Sequence, residues 1–321
     1  MNKILRNVVL VMALSSGMSA HAKAEVFPVR QITMVVPFAA GSATDSLARF
    51  LAEGLGKKLE TTIVVENKPG ANGAIGAHYV AGAAKDGSVL LLTSNSHAAN
   101  VSLYKRLSYD PVKDFTPIAR VMRLPLVLVT RPDFGAQSVE DVIEIGRKRP
   151  TGLTYGSGNT SSQVAVEMLM KPANVQVVRV PFSGNNLALT ELMAGRIDLV
   201  VADMTTALPQ INANFVKAIA VASTTRATIL PNVPTIAESG FPDYEVIGWL
   251  AVFGPAGMPA DRVARINSEL ASIVNDPTAQ AFFAKVGGEP FSSSPSELAT
   301  FVEREIQRWA NFVAIAGIEK Q

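Results

Sequence analysis

Residues 32–45 decide the fold: Ile32-Thr33-Met34-Val35-Val36-Pro37-Phe38-Ala39-Ala40-Gly41-Ser42-Ala43-Thr44-Asp45. Residues 32–36 are β-branched or apolar, the composition of a buried strand. A turn of small residues follows, and beyond it Leu47, Leu51, Leu55 and Leu59 recur at helical spacing on one face. A strand that feeds a helix through such a turn is the repeating unit of an α/β sheet.

Outward from that stretch the alternation continues. Strand character returns at 63–65, 89–92, 118–121 and 126–129, and Ser138 with Asp141 three residues on forms a capping box for the helix holding Val142 and Ile145. The middle third repeats the opening pattern, with a strand at 153–155, a small-residue loop at 156–162 and a helix carrying Val164, Ala165, Met168 and Leu169. A helix with Leu187, Leu192 and Met193 stops at Gly195, and strands follow at 197–202, 216–221 and 246–253. Ser294, Pro295 and Glu297 supply an N-cap, a first-turn proline and a capping box for a last helix with Leu298, Phe301, Val302 and Trp309. The expectation is an α/β protein with mostly parallel sheets. Its 321 residues exceed the usual span of one core, and Pro231, Pro234 and Pro242 mark a return crossing between two lobes.

The first residues read as an export signal rather than as fold. Lys3 and Arg6 precede an apolar run over 8–18, and Ala20, Ala22 and Ala24 give the small-residue spacing of a cleavage site after Ala22 or Ala24. That run is too short to span a membrane. Removing 1–24 takes Lys3, Arg6 and Lys23 from the 29 basic residues and leaves 26 against 27 acidic, a formal net charge of −1. A nearly neutral chain gives no electrostatic footprint for nucleic acid. With no cysteine there is neither a disulfide nor a lipid-attachment site.

Catalytic chemistry finds little to work with. Beyond the signal only His78 and His97 remain, neither sits in a cluster with metal-ligand spacing, and no Gly-x-Ser-x-Gly elbow occurs. Gly70, Gly73 and Gly76 miss the dinucleotide spacing and read as a turn with close helix packing. The expectation is no enzyme, no metal and no cofactor.

Two loops remain, 38–45 and 156–162. Each follows a strand, opens a helix and offers backbone N–H groups at a helix N-terminus, where an anion is stabilised. Either loop could instead be an ordinary cap, through Thr44 or Asp45 in the first and Ser161 or Ser162 in the second. Two such loops at the carboxyl ends of strands favour binding, since open α/β sheets place ligands there. Asp203, directly after an apolar strand, either accepts from a ligand donor or bridging water, or starts a turn.

The stretches 35–45, 66–76 (Glu66-Asn67-Lys68-Pro69-Gly70-Ala71-Asn72-Gly73-Ala74-Ile75-Gly76), 109–115, 157–162, 194–198 and 253–259 resemble, in order along the chain, the extracytoplasmic receptors of tripartite tricarboxylate transporters, the Bug family. The resemblance implies a two-lobe Venus-flytrap of the type II periplasmic-binding class, with lobe 1 from 25–124 and 241–321 and lobe 2 from 125–240. It implies a periplasmic monomer that captures a small organic carboxylate in the interlobe cleft and hands it to membrane transporter subunits; a loaded receptor that signals to a sensor kinase is the alternative. The binding set expected on this basis is Phe38, Ala40, Gly41, Ser42, Thr44, Asp45, Asn95, Ser157, Asn159, Thr160, Ser161, Phe182 and Asp203. Two departures matter: Ser42 stands where many members have a second glycine, and Phe182-Ser183-Gly184 replaces a common Tyr-Lys-Gly, removing a positive charge.

Overall fold

A computed structural model describes residues 27–320, so the export signal read over 1–24 lies outside the described residues. The opening unit forms as read. Strand β1 (Gln31–Val36) leads to helix α1 (Ala43–Leu59), which buries Leu47, Leu51, Leu55 and Leu59 against the sheet. The chain continues through β2 (Thr62–Asn67), α2 (Ala74–Ala81), β3 (Val89–Ser94), α3 (Ser96–Leu103) and β4 (Phe115–Leu124). Pro125 separates β4 from β5 (Leu126–Thr130), the first strand of the second sheet. Then come α4 (Val139–Lys148), β6 (Leu153–Ser157), α5 (Thr160–Met170), β7 (Val177–Pro181), α6 (Asn185–Met193), β8 (Leu199–Asp203), α7 (Met204–Asn212) and β9 (Lys217–Val221). The chain returns with β10 (Gly248–Pro255), α8 (Ala260–Val274), α9 (Ala279–Lys285), β11 (Glu289–Pro290) and α10 (Pro295–Ala316).

The first sheet runs β11-β4-β10-β3-β1-β2 and the second β7-β6-β8-β5-β9. Both are mixed, which corrects the expectation of mostly parallel sheets. β1 pairs in parallel with β2 and β3, as β6 does with β7 and β8, and the remaining pairings are antiparallel. A parallel neighbour requires a crossover helix. β5 and β10 each enter their sheet from the other lobe instead, and both run against their neighbours.

The return crossing lies later than the proline-rich stretch. Val221 N–H donates to Pro234 O at 2.9 Å, and Val246 N–H still reaches Ala222 O at 2.8 Å, so the chain leaves the second sheet only between Val246 and Gly248. The prolines shape a segment that hugs β9. Both capping boxes form as read, at Ser138 with Asp141 and at Ser294 with Glu297. Helix α10 packs against α3 and α5 alike, and its Ala316 O accepts from Lys171 Nζ at 2.7 Å, so the last helix ties the two lobes together.

Candidate functional site

In both sheets the carboxyl ends of the parallel strands face one cleft of about 770 Å³ between the lobes. That volume lies in the range of small-molecule sites. Helices α1 and α3 start at the cleft from the first lobe, and α5, α6 and α7 from the second, because each follows a strand or loop that ends there.

The two loops singled out in the sequence are built on one plan. In the first, Ser42 is the N-cap and its hydroxyl accepts from Asp45 N–H at 3.2 Å; in the second, the Asn159 side chain caps by accepting from Ser162 N–H at 2.9 Å. The caps are therefore Ser42 and Asn159, two or three residues earlier than Thr44, Asp45, Ser161 or Ser162. The reason is geometric, since the capping side chain must precede the N–H it serves by two or three residues. Each cap satisfies the third helical amide. The first two, those of Ala43 and Thr44 in one lobe and of Thr160 and Ser161 in the other, meet no protein acceptor among the described residues. All four residues line the cleft.

Of the expected binding set, Phe38, Ala40, Gly41, Ser42, Thr44, Asn95, Asn159, Thr160, Ser161 and Asp203 line this cleft together. Asn95 Nδ2 donates to Ser161 Oγ at 2.6 Å, joining the lobes directly across it. Asp45, Ser157 and Phe182 stand behind the lining. Asp45 is buried beneath its loop, where Oδ2 accepts from Gly41 N–H at 2.9 Å and from Arg49 Nε at 3.1 Å, and Oδ1 from Arg49 Nη2 and Asn67 Nδ2, both at 3.0 Å. Burial alone would raise its pKa, but the bonds from Arg49, Gly41 and Asn67 outweigh that and hold the carboxyl below its ordinary value. The Gly41 N–H is thus spent on Asp45 and not offered to a ligand. Ser157 is buried and accepts from Arg179 Nε at 2.7 Å, while Phe182 packs into the second lobe's core beside Gly156.

Among the described residues Asp203 is the one carboxylate in the lining, and no lysine, arginine or histidine accompanies it there. Its Oδ2 accepts from Asn185 Nδ2 at 2.8 Å and Asn159 Nδ2 at 3.1 Å. Burial pushes its pKa up, and the two amide donors oppose this only in part.

Sequence reasoning missed a substantial part of the lining. Asn72, Ser94 and Ser96 come from the first lobe, Ser183 from the loop before α6, Asn185 and Asn186 from its first turn, and Trp249 and Trp309 from β10 and α10. Asn72 lay within a quoted family stretch, and Thr205 and Thr206 adjoined Asp203; the tryptophans gave no local signal. Gly76 has the role read for it, since a Cβ there would meet Pro37 Cβ at 2.8 Å and Lys68 O at 3.0 Å.

The histidines do not form a site. His97 is buried among Tyr109, Phe115 and Phe253, and burial lowers its pKa to about 4 despite a bond to Pro111 O. His78 is exposed and bonds Ser108 O. No cluster of metal-ligating side chains occurs among the described residues, and no helix among them is long and apolar enough to cross a membrane.

Comparison with known proteins places this geometry. The structure of Rpa4515 from R. palustris, solved with adipate, superposes with a TM-score of 0.83 at 32% identity, covering 92% of this chain and 100% of that one. MatC from Rhodopseudomonas palustris, with bound malate, gives 0.77 at 33% identity over 89% and 100%. The periplasmic binding protein BugD gives 0.80 at 34% identity over 92% and 100%. The fold is therefore the two-lobe periplasmic-binding-protein fold expected from the sequence. Residues 47–318 match the family described as tripartite tricarboxylate transporter family receptor, a family of binding proteins and not of enzymes. The chain belongs to that family and is a solute-binding receptor of the tripartite tricarboxylate transporter type.

Proposed function

We propose that the interlobe cleft captures a small organic carboxylate in the periplasm and that the closed, loaded protein presents it to the membrane subunits of a tripartite tricarboxylate transporter. One observation carries the reading: first-turn amides from α1 and from α5 converge on one cleft, and among the described residues they meet no protein acceptor and no basic side chain lines it. Helix N-termini stabilise negative charge. An anion seated between the two starts exchanges water for N–H donors from both lobes, which favours the closed form. The adipate and malate of the related structures are ligands of this class.

Within this reading Thr44, Thr160 and Ser161 offer amides or hydroxyls to the ligand, Phe38, Ala40, Gly41 and Ser42 shape the first wall, and Asn95 and Asn159 hold the loops in register. Asp45, Ser157 and Phe182 act as supports from behind. The ligand end nearest Asp203 carries a donor or is bridged by water, because two bare carboxylates would repel. Lobe 1 comprises 25–124 and the chain after the return crossing, and lobe 2 the segment between; the bond from Val246 to Ala222 supports a return a few residues after 241. The N-terminal 1–24 serve as the cleaved signal, and the mature receptor acts as a monomer.

Calorimetric titration of the mature protein with a panel including malate and adipate tests this. One carboxylate should bind saturably at a single site, be recovered unchanged, and stabilise the protein by about 2.7 kcal/mol at a hundredfold excess over Kd. A panel without any saturable binding, or recovery of a chemically altered ligand, overturns it.

A further inference from the structure

A second cavity, of about 440 Å³, lies between β4 and the start of α10 and shares no lining residue with the interlobe cleft. Its floor is Arg120. The Arg120 guanidinium carbon sits 3.9 Å from the centroid of each of the Phe291 and Phe301 rings, Arg123 lies over Phe291 at 4.2 Å, and Arg304 over Phe301 at 5.5 Å. None of these three arginines has a carboxylate within ion-pairing distance among the described residues. Arg120 Nε is buried and has no hydrogen-bond partner among the described residues.

Like charges packed this closely repel one another. Burial lowers the Arg120 pKa to about 10, and the like charges of Arg123 and Arg304 add to that, against smaller opposing effects of Glu305 and Glu297. Aromatic faces attract a guanidinium, but they do not satisfy its N–H groups. Neither acid ion-pairs with it among the described residues, although the Glu297 carboxylate lines the same pocket. Glu297 caps α10 through Ser294 N–H at 2.8 Å, and Glu305 is buried between Trp249 Nε1 at 3.0 Å and Arg308 Nη1 at 2.8 Å. Hydroxyls complete the wall: Ser296 and Thr300 belong to α10 and face the same space as Arg304.

We propose that this pocket is a second ligand site that takes a small tetrahedral oxyanion of the phosphate type, with Arg120 and Arg304 as charged donors and the Ser296 and Thr300 hydroxyls as neutral ones. Guanidinium forks match the oxygen edges of such an anion. Donors approach from a strand and from a helix, a spread that several oxygens pointing in different directions can meet together. A flat carboxylate has its two oxygens in one plane and leaves part of that set unused.

The Arg120 Nε–Hε resonance of the ¹⁵N-labelled mature protein reads the site itself. Titration with inorganic phosphate should shift this signal along a saturating curve, whereas sodium chloride at matched ionic strength should leave it in place. Arg304→Gln, a change at an exposed residue, should weaken the phosphate response roughly tenfold, the scale of one charge-assisted hydrogen bond. The cleft variant Gly41→Val should leave the response intact. A linear drift without saturation, a response unchanged by Arg304→Gln, or one abolished by Gly41→Val overturns the second site. Saturation by acetate in place of phosphate overturns the ligand class.

Discussion

The loops at the starts of α1 and α5 perform the same local task with different electrostatics. Each caps its helix with a short polar side chain and leaves two amides toward the cleft, yet Asp45 behind the first is encircled by Arg49, Gly41 and Asn67, while Asp203 beside the second has only Asn159 and Asn185. Asp45 is therefore held ionised and works as a strut for the loop. Asp203 faces the cleft with its charge opposed by burial. A carboxylate near a binding loop says little about its role until its counter-charges are known.

The largest effect should follow from Gly41→Val. Gly41 has φ +80°, a backbone state that costs a branched residue about 1–2 kcal/mol, and a Cβ there meets nothing within 4 Å. The new side chain therefore projects into open space instead of clashing with the core. Circular dichroism should stay native while carboxylate titration shows no binding, and ligand-induced compaction, seen by small-angle scattering in the wild type, should be absent. Retained binding would mean that the first loop does not approach the ligand.

Asp45→Asn against Asp203→Asn sharpens the contrast directly. Asp45→Asn weakens the bonds to Arg49 and Gly41 and should destabilise the protein at neutral pH by roughly 1–3 kcal/mol. Because its folded pKa is depressed, the Asp45 contribution is present above the ordinary carboxylate value and fades as pH falls through the folded one, so the two proteins should converge in acid. For Asp203 the sign reverses. Its folded pKa is raised, so wild-type stability declines as pH rises through that value, and Asp203→Asn should melt higher than wild type at neutral pH, an advantage that disappears below the unfolded value of 3.8. Thermal melts at several pH values decide this; parallel curves for both variants would break the comparison.

The sequence made the frame legible where local chemistry speaks for itself. The strand at 32–36, the leucine face of α1 and the capping boxes at Ser138 and Ser294 each depend on residues within a few positions of one another. The rest of the site depends on distance in space. Helix α3, with sequence SHAANVSL, shows no apolar period because it is buried almost all round, and α7 carries Pro209 inside it, so neither helix start was visible. Trp249 and Trp309 reach the cleft from strands and helices that follow the second crossing. Asp45 and Ser157 were read as binding residues because they belong to the right loops; which way each side chain turns is set by Arg49 and Arg179.

The smallest effects should separate a wall residue from its support within the second loop. Thr160 lines the cleft at the first position of α5, and its amide meets no protein acceptor among the described residues. Thr160→Val keeps the shape and the amide but removes a hydroxyl, and it should weaken carboxylate binding by about 1–2 kcal/mol if that hydroxyl bonds a charged oxygen. Ser157, three residues earlier, is buried with its hydroxyl on Arg179. Ser157→Ala should therefore act on the melting temperature more than on affinity, since the lost bond holds β6 to its neighbour β7 and not to the ligand. Paired calorimetry and thermal melts on the two variants read this split. If Ser157→Ala lowers affinity as much as Thr160→Val with no loss of stability, the Ser157 hydroxyl turns from Arg179 to the ligand on binding, and the second loop rearranges where the first, pinned by Asp45, does not.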